Sequence, residues 1–91
     1  MKVKVILPLP LQRFTGGRAE VQLEGAASLE ELVKALDLAY PGIKSRLADE
    51  ETGELLPYVH YVVNGQSRRP KEKGGLQDGD VVTVIPAVYG G

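Results

Sequence analysis

Few side chains in this sequence could do covalent chemistry. There is no cysteine and one histidine, His60. No disulfide, thiol nucleophile or side-chain persulfide can form, and a zinc site built from the usual His and Cys ligands is not expected. A serine triad needs a histidine base. His60 sits in a stretch that reads as a strand, and no nucleophile-elbow motif occurs. What remains is the end, Val88-Tyr89-Gly90-Gly91. Two other glycine pairs, Gly16-Gly17 and Gly74-Gly75, are flanked by polar turn sequence and are explained by backbone geometry. The terminal pair follows an apolar strand and carries a free carboxylate, so Gly91 is the candidate working group.

The other charged features have simpler readings. Arg68–Lys73 and the acidic segment 49–54 read as solvated loops. Asp78-Gly79-Asp80 reads as a turn ahead of a strand, and the two aspartates are also candidates for pairing with basic groups of a partner. His60 reads as a strand residue rather than a base. The composition, 43% hydrophobic and 25% charged over 91 residues, is that of one globular domain. A formal charge of −1 gives no reason to expect nucleic acid or an anionic membrane as partner. No apolar run approaches membrane-spanning length and no signal peptide is visible, so the expected location is the cytoplasm.

The elements that must position the end follow from periodicity. Lys2–Leu7 alternates, with Val3, Val5 and Leu7 on one face. Pro8 and Pro10 stop it. Residues 13–18 read as a turn, and Arg18–Gly25 resumes alternation. Ser28 is a helix N-cap and Glu31 completes a capping box. Leu29, Leu32, Val33, Leu36 and Ala39 or Tyr40 form one apolar stripe, ended by Pro41-Gly42. A short turn-helix carries Ile43 and Leu47. Tyr58–Val63 is the plainest strand, Asn64-Gly65 a hairpin turn, and Gln66–Arg68 a short return strand. Val81–Pro86 is the most apolar strand, which implies burial on both faces or a central position. The order β-β-α-β-β-β, with the last strand central and parallel to the first, predicts an α+β fold. A mixed sheet of about five strands packs on one main helix, the β-grasp or ubiquitin-like arrangement.

The segment "GLQDGDVVTVIPAVYGG" resembles the ubiquitin-like sulfur carriers of the ThiS/MoaD family. Asp78-Gly79-Asp80, the strand Val81–Ile85, Pro86, Val88 and the free Gly90-Gly91 carry the likeness. "LPLPLQRFTGGRAEV" and "YPGIKSRLADEETGELLPYVHYVVNGQSRR" resemble the branch serving cysteine biosynthesis. The long segment between helix and third strand and the Thr15-Gly16-Gly17 turn distinguish that branch from molybdopterin-synthase small subunits. Tyr89 departs from the small residue usual beside the glycines in these carriers, and a ring there bears on which enzymes accept the tail.

The resemblance implies a protein carrier rather than an enzyme, a single domain over 1–91 with a flexible tail over 87–91. An E1-like partner would adenylate Gly91 with ATP and Mg²⁺, and a sulfur donor would convert it to a thiocarboxylate. No cofactor or metal is expected on the carrier itself. Gly90, Tyr89 and Val88 would thread into partner sites, and Ile85, Pro86, Asp78 and Asp80 are candidate docking residues. An apolar patch rimmed by charge is expected on the open sheet face. The acceptor of the sulfur would be a cysteine synthase, with a metal-dependent isopeptidase as a further partner. The alternatives are the large subunit of molybdopterin synthase, another sulfur pathway, or a ubiquitin-like modifier forming isopeptide bonds through Gly91.

Overall fold

The structure, a computed structural model, describes residues 1–69 and 75–86. Lys2–Ile6 (β1) and Glu20–Glu24 (β2) pair antiparallel, with Val3 opposite Leu23 and Val5 opposite Val21, all four buried. Between them, where sequence predicts only a turn, Leu9–Thr15 form a 3-10 helix. Pro8 and Pro10 cannot serve a ladder, but their restricted φ suits a helical first turn. Leu11 and Thr15 are buried beneath it.

Leu29–Ala39 form α1, the one α-helix among the described residues. Ser28 Oγ accepts from the Glu31 N–H at 3.2 Å. The reciprocal arm of the box is not among the hydrogen bonds of the described residues, and Glu31 is exposed. Leu29, Leu32, Val33 and Leu36 are buried, each contributing about 2 kcal/mol relative to exposure. Tyr40 extends the stripe half-buried, while Ala39 is exposed. Asp37 Oδ1 then accepts from the N–H groups of Gly42 and Lys44, turning the chain into a second 3-10 helix, Ile43–Arg46. Ile43 and Leu47 are buried, as expected.

The acidic segment 49–54 is a solvated loop, but its flanks are not. Asp49 Oδ1 accepts from the N–H groups of Glu51 and Thr52, and residues 49–54 are exposed. Ala48 and Leu55, however, form a bridge and are buried, so the loop closes one end of the core. Val59–Val63 (β3) and Gln66–Arg68 (β4) flank the Asn64-Gly65 turn, with φ of 50° and 85° as an Asn-Gly hairpin requires.

Val81–Pro86 (β5) completes a five-stranded sheet in the order β2-β1-β5-β3-β4. It runs parallel to β1 and antiparallel to β3. Of the two explanations for its apolar run, the central position holds. Val82 and Val84 are buried against the helix layer, and the alternate residues Val81 and Thr83 are half-covered. Tyr61 is the largest fully buried side chain, and burial pushes its hydroxyl pKa above the usual value.

The entry to β5 is clamped from two sides. Lys2 N–H donates to Asp78 Oδ1 at 2.7 Å, Gly79 N–H to the Lys2 carbonyl, and Lys4 N–H to the Asp80 carbonyl. The Asp80 carboxylate accepts from the Gln77 N–H and from Asn64 Nδ2, both at 2.8 Å. Asn64 Oδ1 in turn accepts from Val81 N–H. Asp80 is 9% exposed but lies at the sheet rim. Its hydrogen bonds from Gln77 and Asn64, helped by the charge of Arg68, outweigh the desolvation cost and lower its pKa. A lowered folded pKa stabilises above the unfolded carboxylate value, near ~4, and is lost as pH falls through the folded value. Asp80→Ala should therefore cost about 1–2 kcal/mol at pH 7, and its gap from the wild type should shrink as pH falls below about 4. Urea denaturation at neutral and at acid pH checks this.

Candidate functional site

The site has to be built at the end of β5, and ladder parity decides what surrounds it. Val3, Val5, Val82, Val84, Val59, Tyr61 and Val63 point to the core. Their neighbours therefore share the open face: Lys4 and Ile6, Val81, Thr83 and Ile85, His60 and Val62. In register, Glu20, Ile6, Thr83, Val62 and Ser67 form one row across all five strands. Ile6, Val62, Val81 and Thr83 are half-buried, whereas Ile85 is 44% exposed. Lys4 Nζ stands 3.8 Å from Glu20 Oε2 at one side, an exposed pair worth little in stability. The open face thus carries an apolar patch with a charged rim.

The four candidate docking residues separate into two groups. Ile85 and Pro86 lie at the end of β5 that leads to the terminal residues, and Ile85 faces His60 across the sheet. Asp78 and Asp80 lie at the opposite end, roughly 20 Å away along six residues of strand. The Asp80 carboxylate is occupied by the clamp, and Asp78 is exposed with one oxygen accepting from Lys2. Val88, Tyr89, Gly90 and Gly91, the proposed threading and reacting residues, lie outside the described residues, as does the charged loop beyond Arg69.

Three patch members escaped the sequence reading. Ile6 was signalled by parity, since Val3, Val5 and Leu7 inward require Ile6 outward. Val62 and Thr83 needed the β3–β5 register. His60 was placed in a strand by its sequence, but only that register sets it against Ile85. Among the described residues, no group of three or more His, Asp or Glu could hold a metal ion. A shallow cleft of about 440 Å³ between Lys4, Arg18, Glu20 and Tyr40 lies away from the end of β5. No helix of the described residues is long and apolar enough to cross a membrane.

This geometry has relatives. The sulfur carrier protein CysO of Mycobacterium tuberculosis is 38% identical over 96 residues, covering all of both chains. The crystal structure of the Amycolatopsis orientalis BexX/CysO complex superposes with a TM-score of 0.81 at 32% identity, covering 98% of this chain and 99% of that one. Small archaeal modifier protein 3 of Haloferax volcanii is 31% identical over 72 residues, covering 77% of this chain and 76% of that protein. These neighbours share the ubiquitin-like β-grasp fold. Residues 5–91 match the ThiS family, and the chain belongs to that family.

Proposed function

We propose that this chain is a sulfur carrier whose Gly91 carboxylate is the carrying group, serving cysteine biosynthesis. The observation that carries the reading is the full-length similarity to a sulfur carrier, joined to the central, terminal position of β5. β5 ends at Pro86, beside an apolar patch and five residues before Gly91.

A carboxylate does not accept a nucleophile readily. In the proposed sequence an E1-like enzyme binds ATP and Mg²⁺, and a Gly91 carboxylate oxygen attacks the α-phosphorus. Pyrophosphate leaves and an acyl-adenylate forms. A sulfur donor then attacks the activated carbonyl, AMP leaves, and one oxygen of Gly91 has been exchanged for sulfur. The resulting thiocarboxylate sulfur is nucleophilic: on a cysteine synthase it would attack Cβ of an activated serine, expelling the group on the serine oxygen, and the thioester formed would pass its acyl group from sulfur to the serine-derived amine to give an amide open to hydrolysis. A metal-dependent isopeptidase would free the product and regenerate the carboxylate. The carrier's own part is to dock and to present: the patch around Ile85 binds, and Gly90 and Gly91, lacking Cβ, pass a narrow channel. Ordering the tail costs about 1–2 kcal/mol per residue, which docking area must offset.

Similarity to a small archaeal modifier supports a second reading, in which the same adenylate ends in an isopeptide bond to a lysine. A tagged chain would then give Gly91-dependent ladders on denaturing gels. On the carrier reading, incubation with the activating enzyme, ATP and sulfide shifts the intact mass by one oxygen-to-sulfur exchange. Deleting Gly90 and Gly91 should abolish the shift while leaving thermal stability nearly unchanged, since tails make few contacts. An unchanged mass with a cognate activating enzyme removes the proposal. Ile85→Glu should keep folding stability within about 0.5 kcal/mol, and raise the KM for activation about tenfold if the patch is the docking face.

A further inference from the structure

The first and last strands stop pairing at Ile6 and Thr83, shortly before a proline in each, Pro8 and Pro86. Just past β1, Leu7 N–H donates to the Ala19 carbonyl just before β2, and within β1 Lys4 N–H donates to the Asp80 carbonyl on the β5 side. Along a strand these directions alternate, so Lys4, Ile6 and residue 8 aim their backbone groups at β5. Pro8 is still extended, with φ −70° and ψ 160°, yet it has no N–H to give to Val84. Its carbonyl already accepts from Leu11 N–H at 3.0 Å, the first bond of the 3-10 helix. On β5 the groups facing β1 belong to Asp80, Val82, Val84 and residue 86 by the same alternation. Residue 86 is Pro86, which also has no N–H. The parallel register ends at Ile6 and Thr83, while the antiparallel register with β3 continues through Ile85 and Pro86. The strand is central over its first part and one-sided over its last two residues.

We infer that Pro8 and Pro86 are positioning residues: they hold Ile85 and Pro86 on one edge only, so that this end can peel from β3 when the terminal glycines enter an enzyme's site. This rests on the carrier reading and adds to it a source of reach. Five residues beyond Pro86 extend at most ~17 Å, and lifting two more adds ~7 Å. A proline in a central strand normally removes a ladder bond. Here the missing donor faces the side that β1 has left, so the chain gains a release point without disturbing the sheet beneath it.

The test restores the donors. A Pro8→Val, Pro86→Val double variant regains a residue 8 N–H aimed at the Val84 carbonyl and a residue 86 N–H that can share the residue 8 carbonyl with Leu11, which should tether the end of β5 and reduce the peeled population about tenfold. With the activating enzyme followed by pyrophosphate exchange, KM should rise about tenfold while kcat stays unchanged, as expected when only the competent fraction falls. Inserting two glycines between positions 86 and 87 of that variant should bring KM back, a rescue that a purely structural role would not produce. Unchanged KM, a fall in kcat alone, or no rescue overturns the inference. Amide hydrogen exchange tests it without any partner. In the wild type Ile85 should exchange at least about tenfold faster than Thr83, and the double variant should close that gap. Equal protection in the wild type, or a gap that persists in the variant, also overturns it. If the wild type is not activated at all, the carrier reading fails, and the exchange experiment alone decides whether the prolines set a release point.

Discussion

The parallel pairing of β1 with β5 is the constraint from which the rest of the fold follows. It joins the two ends of the chain: Lys2 reaches Asp78 across 76 positions of sequence. Such a contact carries a large loop-closure cost, and little in either strand alone repays it. What repays it is the sheet. With β5 between β1 and β3, the two hairpins become one surface, and Val3, Val5, Val82 and Val84 form a continuous floor for the core. The α1 stripe can be buried only once that floor exists. The Asp80–Asn64 clamp matters for the same reason, because it fixes where β5 enters and hence its register with both neighbours.

Placing the last strand in the middle also determines how the end of the chain is presented. A terminal strand at an edge would leave along the sheet rim. A central strand leaves between its neighbours, from a point fixed by bonds on both sides for most of its length. β5 keeps both sets of bonds through Thr83 and one set beyond, so rigidity and release meet within a few residues. The adjacent face is apolar at Ile85, Val62 and Ile6, with Thr83 among them, while the chain has no thiol and its one histidine flanks the patch. Chemistry at the backbone terminus and recognition by the sheet face are consistent with that inventory.

Most elements were legible because their signals are local. Ser28 before a helical stripe, Asn64-Gly65 between strands, and the exact extent of Gln66–Arg68 and Val81–Pro86 follow from spacing and turn chemistry. The misses share a cause. Pro8 and Pro10 do follow the end of β1, but the segment after them was read only as a turn, although a proline's restricted φ also suits the first turn of a 3-10 helix, and the buried Leu11 anchors it. The acidic segment 49–54 was read by its charge and its flanks passed over, yet Ala48 and Leu55 form a bridge and are buried in the core. Glu31 satisfied a motif, but an exposed carboxylate has water as a partner and no need to reach back.

By itself the sequence determined which residues could form strands and a helix, that no cysteine chemistry was possible, and that the terminal glycines were unlike the other two pairs. These are properties of side-chain type and short-range periodicity, and they survive whatever the rest of the chain does. Only the tertiary structure decided that His60 meets Ile85, that Asp80 belongs to a clamp far from the end, and that Pro8 stands where Val84 would need a donor. Each of those is a pairing between segments distant in sequence. Register between strands is set by the whole core at once, because a slip of one residue would turn every buried valine toward solvent.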